Sequence, residues 1–175
     1  VAYSIIFRSL FANNGLVNYV LVNIGILDKP YNFLTQPFAA KMVILLGLLW
    51  RWTGYNMVFF LSGLQNIEYS VYEAAKIDGA SAIQTFFKIT VPLLKPTILL
   101  TAIMSTNGTL QLFDESVNLT DGGPANASIS MSHYIYNLCF KYVPNFGYAA
   151  AMSFFILLLV AVLAFIQMRV GDKRD

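Results

Sequence analysis

Residues Gly147–Met168 read GYAAAMSFFILLLVAVLAFIQM, 22 residues without one charged side chain. A helix of that length rises about 33 Å, enough to cross the roughly 30 Å hydrocarbon core of a bilayer. Basic residues follow at once: Arg169, Lys173 and Arg174. Two more stretches meet the same length requirement. Met42–Gly63 is interrupted by Arg51 and Asn56. Leu93–Phe113 carries Pro96 in its first turn and the polar run Ser105-Thr106-Asn107-Gly108. Val1–Phe11 is apolar but too short. It has neither the basic start nor the small-residue cleavage site of a signal peptide, so it reads as a truncated span of a longer membrane protein. The expectation is an all-α, polytopic transmembrane helical bundle with three full spans and one truncated span, a C-terminal fragment of a larger chain.

Composition agrees. Of 175 residues, 57% are hydrophobic and 11% charged, less than half the roughly 25% charge of a soluble domain. Disorder is excluded by the same figures. One cysteine, Cys139, allows no internal disulfide, and one histidine, His133, allows no Cys/His metal cluster. A net charge of +2 is too small for nucleic-acid binding. No metal and no cofactor are expected. His133 is expected on a surface loop and Cys139 as a packing residue.

The connections differ in kind. Asn13–Pro37 holds turn signals around an apolar stretch, Leu16–Leu27, too short to span and suited to an interfacial helix. Asn118–Asn145 is a second loop centred on Asp121-Gly122-Gly123-Pro124, with a short surface helix expected over His133–Tyr142. Leu64–Pro92 reads as two short helices around a glycine. Ser70-Val71-Tyr72-Glu73 and Ser81-Ala82-Ile83-Gln84 both fit a capping box. Gly79 fits the left-handed position after a helix, and Pro92 is expected to end the second helix. Ile83, Phe86, Phe87 and Thr90 fall on one side of that helix at helical spacing. Basic residues orient the chain: Lys76, Lys88, Lys95, Arg169, Lys173 and Arg174 on one side, against Lys29, Lys41 and Lys141 on the other. Six against three puts Leu64–Pro92 and the C-terminus in the cytoplasm and the Asp121–Pro124 loop outside.

Residues 73–92 read EAAKIDGASAIQTFFKITVP. Glu-Ala-Ala, then Gly79 after three residues, then Ile89-Thr90-Val91-Pro92 after nine, resembles the EAA loop of permease subunits of binding-protein-dependent ABC importers. Val91 stands where the family pattern has leucine. Asp78-Gly79-Ala80, Pro92-Leu93-Leu94-Lys95-Pro96, Leu119–Pro124 and Phe146-Gly147-Tyr148-Ala149 are similar to the carbohydrate branch. Such permeases have about six spans, more than this chain holds.

The resemblance implies the type I importer permease fold. It also implies that this helix pair, within 64–92, docks in a cleft of a cytoplasmic ABC ATPase dimer. ATP hydrolysis would occur on that partner, so the chain itself is not an enzyme. Glu73 would meet a basic group, Ala74 and Ala75 would allow close approach, and Gly79 beside Asp78 would make the turn. Ile83, Phe86 and Phe87 would fill the cleft, and Ile89 and Pro92 complete the motif. Glu73 and Gly79 also have a purely local use, as cap and helix stop. A second permease subunit, an external solute-binding protein, a sugar substrate and a bacterial inner membrane follow from the same resemblance.

Substrate contacts are expected in Asn107–Asn118, NGTLQLFDESVN. A continuous helix would put Asn107, Gln111 and Asn118 on one side. Asp114 and Glu115 are costly at a membrane edge unless they face water, a ligand or a partner. These groups can bond sugar hydroxyls, and Phe113 can stack on a sugar face. The sugar-permease resemblance also assigns this region to the substrate cavity. The alternative is that the acidic pair only marks a helix end. Arg51, near the middle of its span, is expected inside, facing a cavity or paired with a carboxylate of another span. Other classes remain open: a passive channel, or a membrane-embedded enzyme using Asp114 and Glu115.

Overall fold

The computed structural model describes residues 2–171. Val1, Lys173 and Arg174 therefore lie outside the described residues. Among the described residues ten α-helices run in order: α1 Ala2–Leu10, α2 Leu16–Asn23, α3 Pro37–Gln65, α4 Tyr69–Ile77, α5 Ala82–Thr85, α6 Val91–Leu93, α7 Lys95–Leu110, α8 Asp114–Thr120, α9 Met131–Tyr136 and α10 Phe146–Gly171. Two π-helical segments, Phe86–Thr90 and Asn137–Lys141, follow α5 and α9. No strand occurs among the described residues.

α3 and α10 are long and apolar enough to cross a membrane, with mean hydropathy 1.3 and 2.8. A third span results if Ala82–Leu93 and Lys95–Leu110, bent by 64° at Leu94, are counted as one. The all-α membrane bundle is thus present. α10 is apolar on every side and exposes Phe154, Leu157, Leu158, Val162 and Phe165. Such a helix is stable only against lipid or other spans.

The chain forms two compact units. The first takes the chain up to Arg51 together with Gly108–Leu159. In it α1 packs on α8. Val43, Ile44, Leu48 and Leu119 are buried. Tyr3, Phe7 and Trp50 form an aromatic cluster with centroids 5.9–6.4 Å apart. Asn18 is buried on α2 and clamps the loop. Its Nδ2 donates to the Ala12 carbonyl at 3.0 Å and the Tyr31 carbonyl at 2.9 Å, while its Oδ1 accepts from the Tyr31 N–H at 2.8 Å.

The second unit takes Trp52–Asn107 and the chain from Val160 on. Polar groups inside its helices pair with one another, as hydrocarbon requires. Asn56 Nδ2 donates to Ser105 Oγ at 3.2 Å, and Gln167 Nε2 donates to Thr106 Oγ1 at 2.8 Å. A methyl group on Gly63 would come within 2.8 Å of Leu94 and Thr97, so glycine permits the close approach of α3 to the start of α7.

Three local expectations are corrected. α4 does not open with a Ser70–Glu73 box. Its N-cap is Glu68, without a side-chain cap bond, and the Ser70 hydroxyl donates to Glu68 Oε2 at 3.3 Å. A carboxylate two residues back has captured the hydroxyl that the box needs. Pro92 does not end its helix but lies inside α6. The π-helical Phe86–Thr90 before it closes with a Val91 N–H to Phe86 carbonyl bond, one residue wider than an α-turn. That widening accommodates a residue without an N–H. Third, α7 stops at Leu110 and α8 begins at Asp114. Asn107, Gln111 and Asn118 therefore share no helical face. The break places Asp114 and Glu115 in a first turn, where the helix dipole favours carboxylates; at the end of α7 it would oppose them.

Candidate functional site

Two of the punctuation signals in 64–92, the left-handed glycine and the second capping box, form as expected. Gly79 has φ +75°, a left-handed conformation that a β-carbon penalises. The second capping box is complete: Ser81 Oγ accepts from the Gln84 N–H at 3.3 Å, and Gln84 Oε1 accepts from the Ser81 N–H at 2.8 Å. Tyr72 Oη, on α4, lies 3.3 Å from Thr90 Oγ1, which is buried in the π-helical segment. This bond joins the two arms of the turn. Its outer face is open. Ile83, Phe86 and Phe87 are 72%, 51% and 65% exposed, and the two phenylalanine rings meet edge to face at 5.0 Å. Glu73, Ala74, Asp78 and Pro92 are exposed as well. Ala75 is buried within the chain and Ile89 is half-buried, so these two support the turn more than they extend its open face.

In 107–118 the structure separates residues that look alike in sequence. Gln111 is exposed at the break between α7 and α8. Phe113 is half-buried, packed edge-on against His133 and Tyr136 at 6.1 and 5.4 Å. Asn118 Nδ2 donates to the Asp114 carbonyl at 2.8 Å. Asp114 is half-buried and engaged with other residues. Glu115 is buried, and its Oε1 lies 2.6 Å from Arg51 Nη1. That pair joins positions 64 apart in sequence. It was one of the two options open for Arg51. A mid-span cation and the carboxylates of the broken helix were the signals available for finding it.

A second polar hub escaped sequence reasoning. His133 is buried, not on a surface loop. Ser116 Oγ lies 2.8 Å from the Ser128 carbonyl, 3.1 Å from the Ser130 N–H and 2.9 Å from His133 Nδ1. The hydroxyl has one proton, which goes to the carbonyl. Its lone pairs then take the Ser130 N–H and an Nδ1–H from His133. Nδ1 of the ring therefore carries a proton, and Nε2 is buried without a hydrogen-bond partner. Ser128 Oγ donates to the Gly123 carbonyl, tying the Asp121–Pro124 turn to the same hub. Lys141 and Asp121 close the rim with an exposed ion pair at 3.1 Å.

Burial pushes the His133 imidazole below its ordinary value of 6.5; Lys141 pushes the same way and Asp121 opposes. A lowered folded pKa means that the unfolded chain takes up the proton first as pH falls. The stabilisation is complete above the unfolded value and is lost as pH drops through the folded one. The melting temperature of the purified protein is expected to fall between about pH 7.5 and about pH 5.5. His133→Asn keeps a donor near Ser116 without titrating, so its melting temperature should fall less. An equal fall in both proteins would remove His133 as the cause.

Residues 3–174 match the family model described as binding-protein-dependent transport system inner membrane component. The chain is 54% identical to the lactose transport system permease protein LacF of Rhizobium radiobacter over 176 residues, covering 99% of this chain and 59% of that protein. It is 36% identical to the trehalose/maltose transport system permease protein MalF of Thermococcus litoralis, covering 91% and 53%. A crystal structure of a bacterial ABC transporter involved in the import of the acidic polysaccharide alginate superposes with TM-score 0.85 at 23% identity, over 99% of this chain and 60% of that one. A second structure, of a bacterial alginate ABC transporter with an alginate pentasaccharide-bound periplasmic protein, superposes with TM-score 0.71 at 25% identity, over 97% and 57%. The chain thus spans somewhat over half the length of the curated relatives it matches.

Proposed function

The chain belongs to the family of binding-protein-dependent transport system inner membrane components, and from that membership we propose that it forms the coupling and path-lining half of a permease subunit in an ATP-driven sugar importer. The observation that carries this is the exposed helix–Gly–helix turn. Its apolar ridge of Ile83, Phe86 and Phe87 has the composition of a docking surface, not of a solvated loop. The ridge is continuous with α7 through the 64° bend at Leu94, so a push on the turn would be passed to that helix.

In this reading a cytoplasmic ABC ATPase dimer holds the ridge, with Glu73 facing a basic group and Gly79 setting the turn. Hydrolysis belongs to that partner. A second permease subunit completes the pathway, and a solute-binding protein delivers substrate at the Asp121–Pro124 side. The turn and the C-terminus then lie in the cytoplasm, as the basic-residue bias supports. The cargo is a neutral saccharide, for which the likeness to LacF and MalF is the support. Gln111, at the break, and the neighbouring Asn107, Phe113, Asp114, Glu115 and Asn118 belong to the segment that serves the path.

The test is reconstitution of the full-length protein with its second permease, ATPase and binding protein in liposomes. ATP-dependent uptake of labelled lactose is the expected result. Uptake without ATP would replace the importer by a channel. Chemical conversion of the sugar that stops with Asp114→Asn and Glu115→Gln would replace it by an enzyme.

A further inference from the structure

The helix–Gly–helix turn has an open tip. Nothing lies within 4 Å of the place a β-carbon would take on Gly79, and glycine itself resists few backbone conformations. The angle between the arms is therefore set by what passes between them. Among the described residues one side-chain hydrogen bond does so. Tyr72 Oη on α4 lies 3.3 Å from Thr90 Oγ1 in the π-helical segment, and Thr90 Oγ1 donates to the Thr85 carbonyl at 3.4 Å. A threonine hydroxyl has one proton and a carbonyl only accepts, so Tyr72 is the donor to Thr90. Thr90 is 7% exposed and Tyr72 is half-buried, although Glu73, Phe87 and Lys88 beside them are exposed. Ala75, one turn on from Tyr72, is buried too, so this side of α4 faces inward. Thr90 also reaches forward along the chain. Its carbonyl accepts the Leu94 N–H at 3.0 Å, where the 64° bend into α7 lies. One residue thus joins α4, the widened turn and the bend.

We propose that Tyr72 and Thr90 are positioning residues of the coupling turn: they make its two arms move as one body, so that a push on the ridge drives both helices attached to it. This rests on the importer reading above and deepens it, since docking holds the ATPase and this pair transmits its movement. Ile83, Phe86 and Phe87 stand on the second arm, which runs into α7. The first arm, α4, follows α3 after three residues. Without the Tyr72–Thr90 bond the arms hinge at Gly79, and the push reaches α7 alone. The Thr90–Thr85 bond braces the π-helical turn between ridge and bend, where the backbone spacing is wider than in an α-helix. The Tyr72–Thr90 contact is longer than the roughly 2.8 Å that hydroxyl bonds prefer, so closer approach of the arms strengthens the link. Neither side chain is offered to the ATPase: Thr90 is enclosed, and Tyr72 spends its hydroxyl inward.

The experiment uses the full-length permease, assembled with its second permease, ATPase and binding protein in proteoliposomes, and reads lactose taken up per ATP hydrolysed. Tyr72→Phe keeps the ring and removes the hydroxyl. It is expected to retain the ATPase on co-purification, and hydrolysis stimulated by lactose-loaded binding protein. The ratio is expected to fall about three-fold, the scale of one lost hydrogen bond. Thr90→Val keeps the shape and removes both bonds, so its ratio should fall at least as far. Thr90→Ser keeps the hydroxyl and should hold the parent's ratio. Adding Tyr72→Phe to Thr90→Val should cost nothing more, because the bond between the arms is already gone. A parent-like ratio in Tyr72→Phe overturns the proposal. So does a fall in Thr90→Ser equal to that in Thr90→Val, or a further fall in the double variant. Loss of the ATPase from Tyr72→Phe overturns it as well, since the hydroxyl would then serve docking. A parent that takes up no lactose with ATP overturns the importer reading, and the proposal with it, before any variant is compared.

Discussion

Replacing Phe86 and Phe87 together with aspartate is expected to release the ATPase from the assembled transporter and to abolish sugar uptake. Both rings are more than half exposed and meet each other edge to face. Removing them takes little from the folded chain. Burying a phenylalanine in a partner cleft is worth about 1.5–3 kcal/mol. Losing two therefore weakens docking by roughly 3–6 kcal/mol, a factor of about 100 or more, and the desolvation of two new carboxylates adds to that. Co-purification of the ATPase, read beside the melting temperature of the permease, checks it. ATPase retained at the parent's level would show that the ridge docks elsewhere. Glu73→Ala, which removes one exposed charge, should cost less.

Arg51→Ala has the second large effect, and this one falls on stability. It strands the Glu115 carboxylate at a site 1% exposed. Breaking a fully buried pair from one side typically costs about 3–5 kcal/mol, because the remaining charge keeps its desolvation penalty without its partner; with Arg51 42% exposed the loss here falls at or below the lower end of that range. Thermal unfolding in detergent should show a marked fall for Arg51→Ala. Arg51→Ala with Glu115→Ala should recover part of it, since the second change removes the stranded charge. A double mutant as unstable as the sum of the two single mutants would show that the pair is not coupled. The pair also ties α8 to α3, so its loss should loosen the broken-helix segment ahead of the rest of the first unit.

Much of the fold was legible because its signals are local. An uncharged run the length of a bilayer leaves its backbone few alternatives to helix. Met42–Gly63 and Gly147–Met168 lie inside the observed α3 and α10. The Ser81–Gln84 box and the left-handed Gly79 also formed as their residue types require. Where two local options compete, spacing alone could not choose between them. Ser70 was drawn to Glu68, and the turn at Phe86–Thr90 widened around Pro92. Ser105 bonds Asn56 of α3, whereas Ser153 turns back to the Ala149 carbonyl of its own helix. The two serines differ only in what stands opposite them.

By itself the sequence determined that this chain is helical and built for lipid, and that it carries an amphipathic helix–Gly–helix turn with an apolar face. Those properties follow from runs and periods of side chains that act within a few residues of one another. Only the tertiary structure decided which polar groups are spent internally and which are offered outward. Glu115 and Asp114 are adjacent and chemically alike, yet Glu115 is buried against a cation 64 positions away while Asp114 is half-buried. His133 is enclosed because Ser116 and the Ser128–Ser130 turn close over it. The free energy of a charge or an imidazole is set by its desolvation and its partners, and both come from residues that the chain brings together only when it folds.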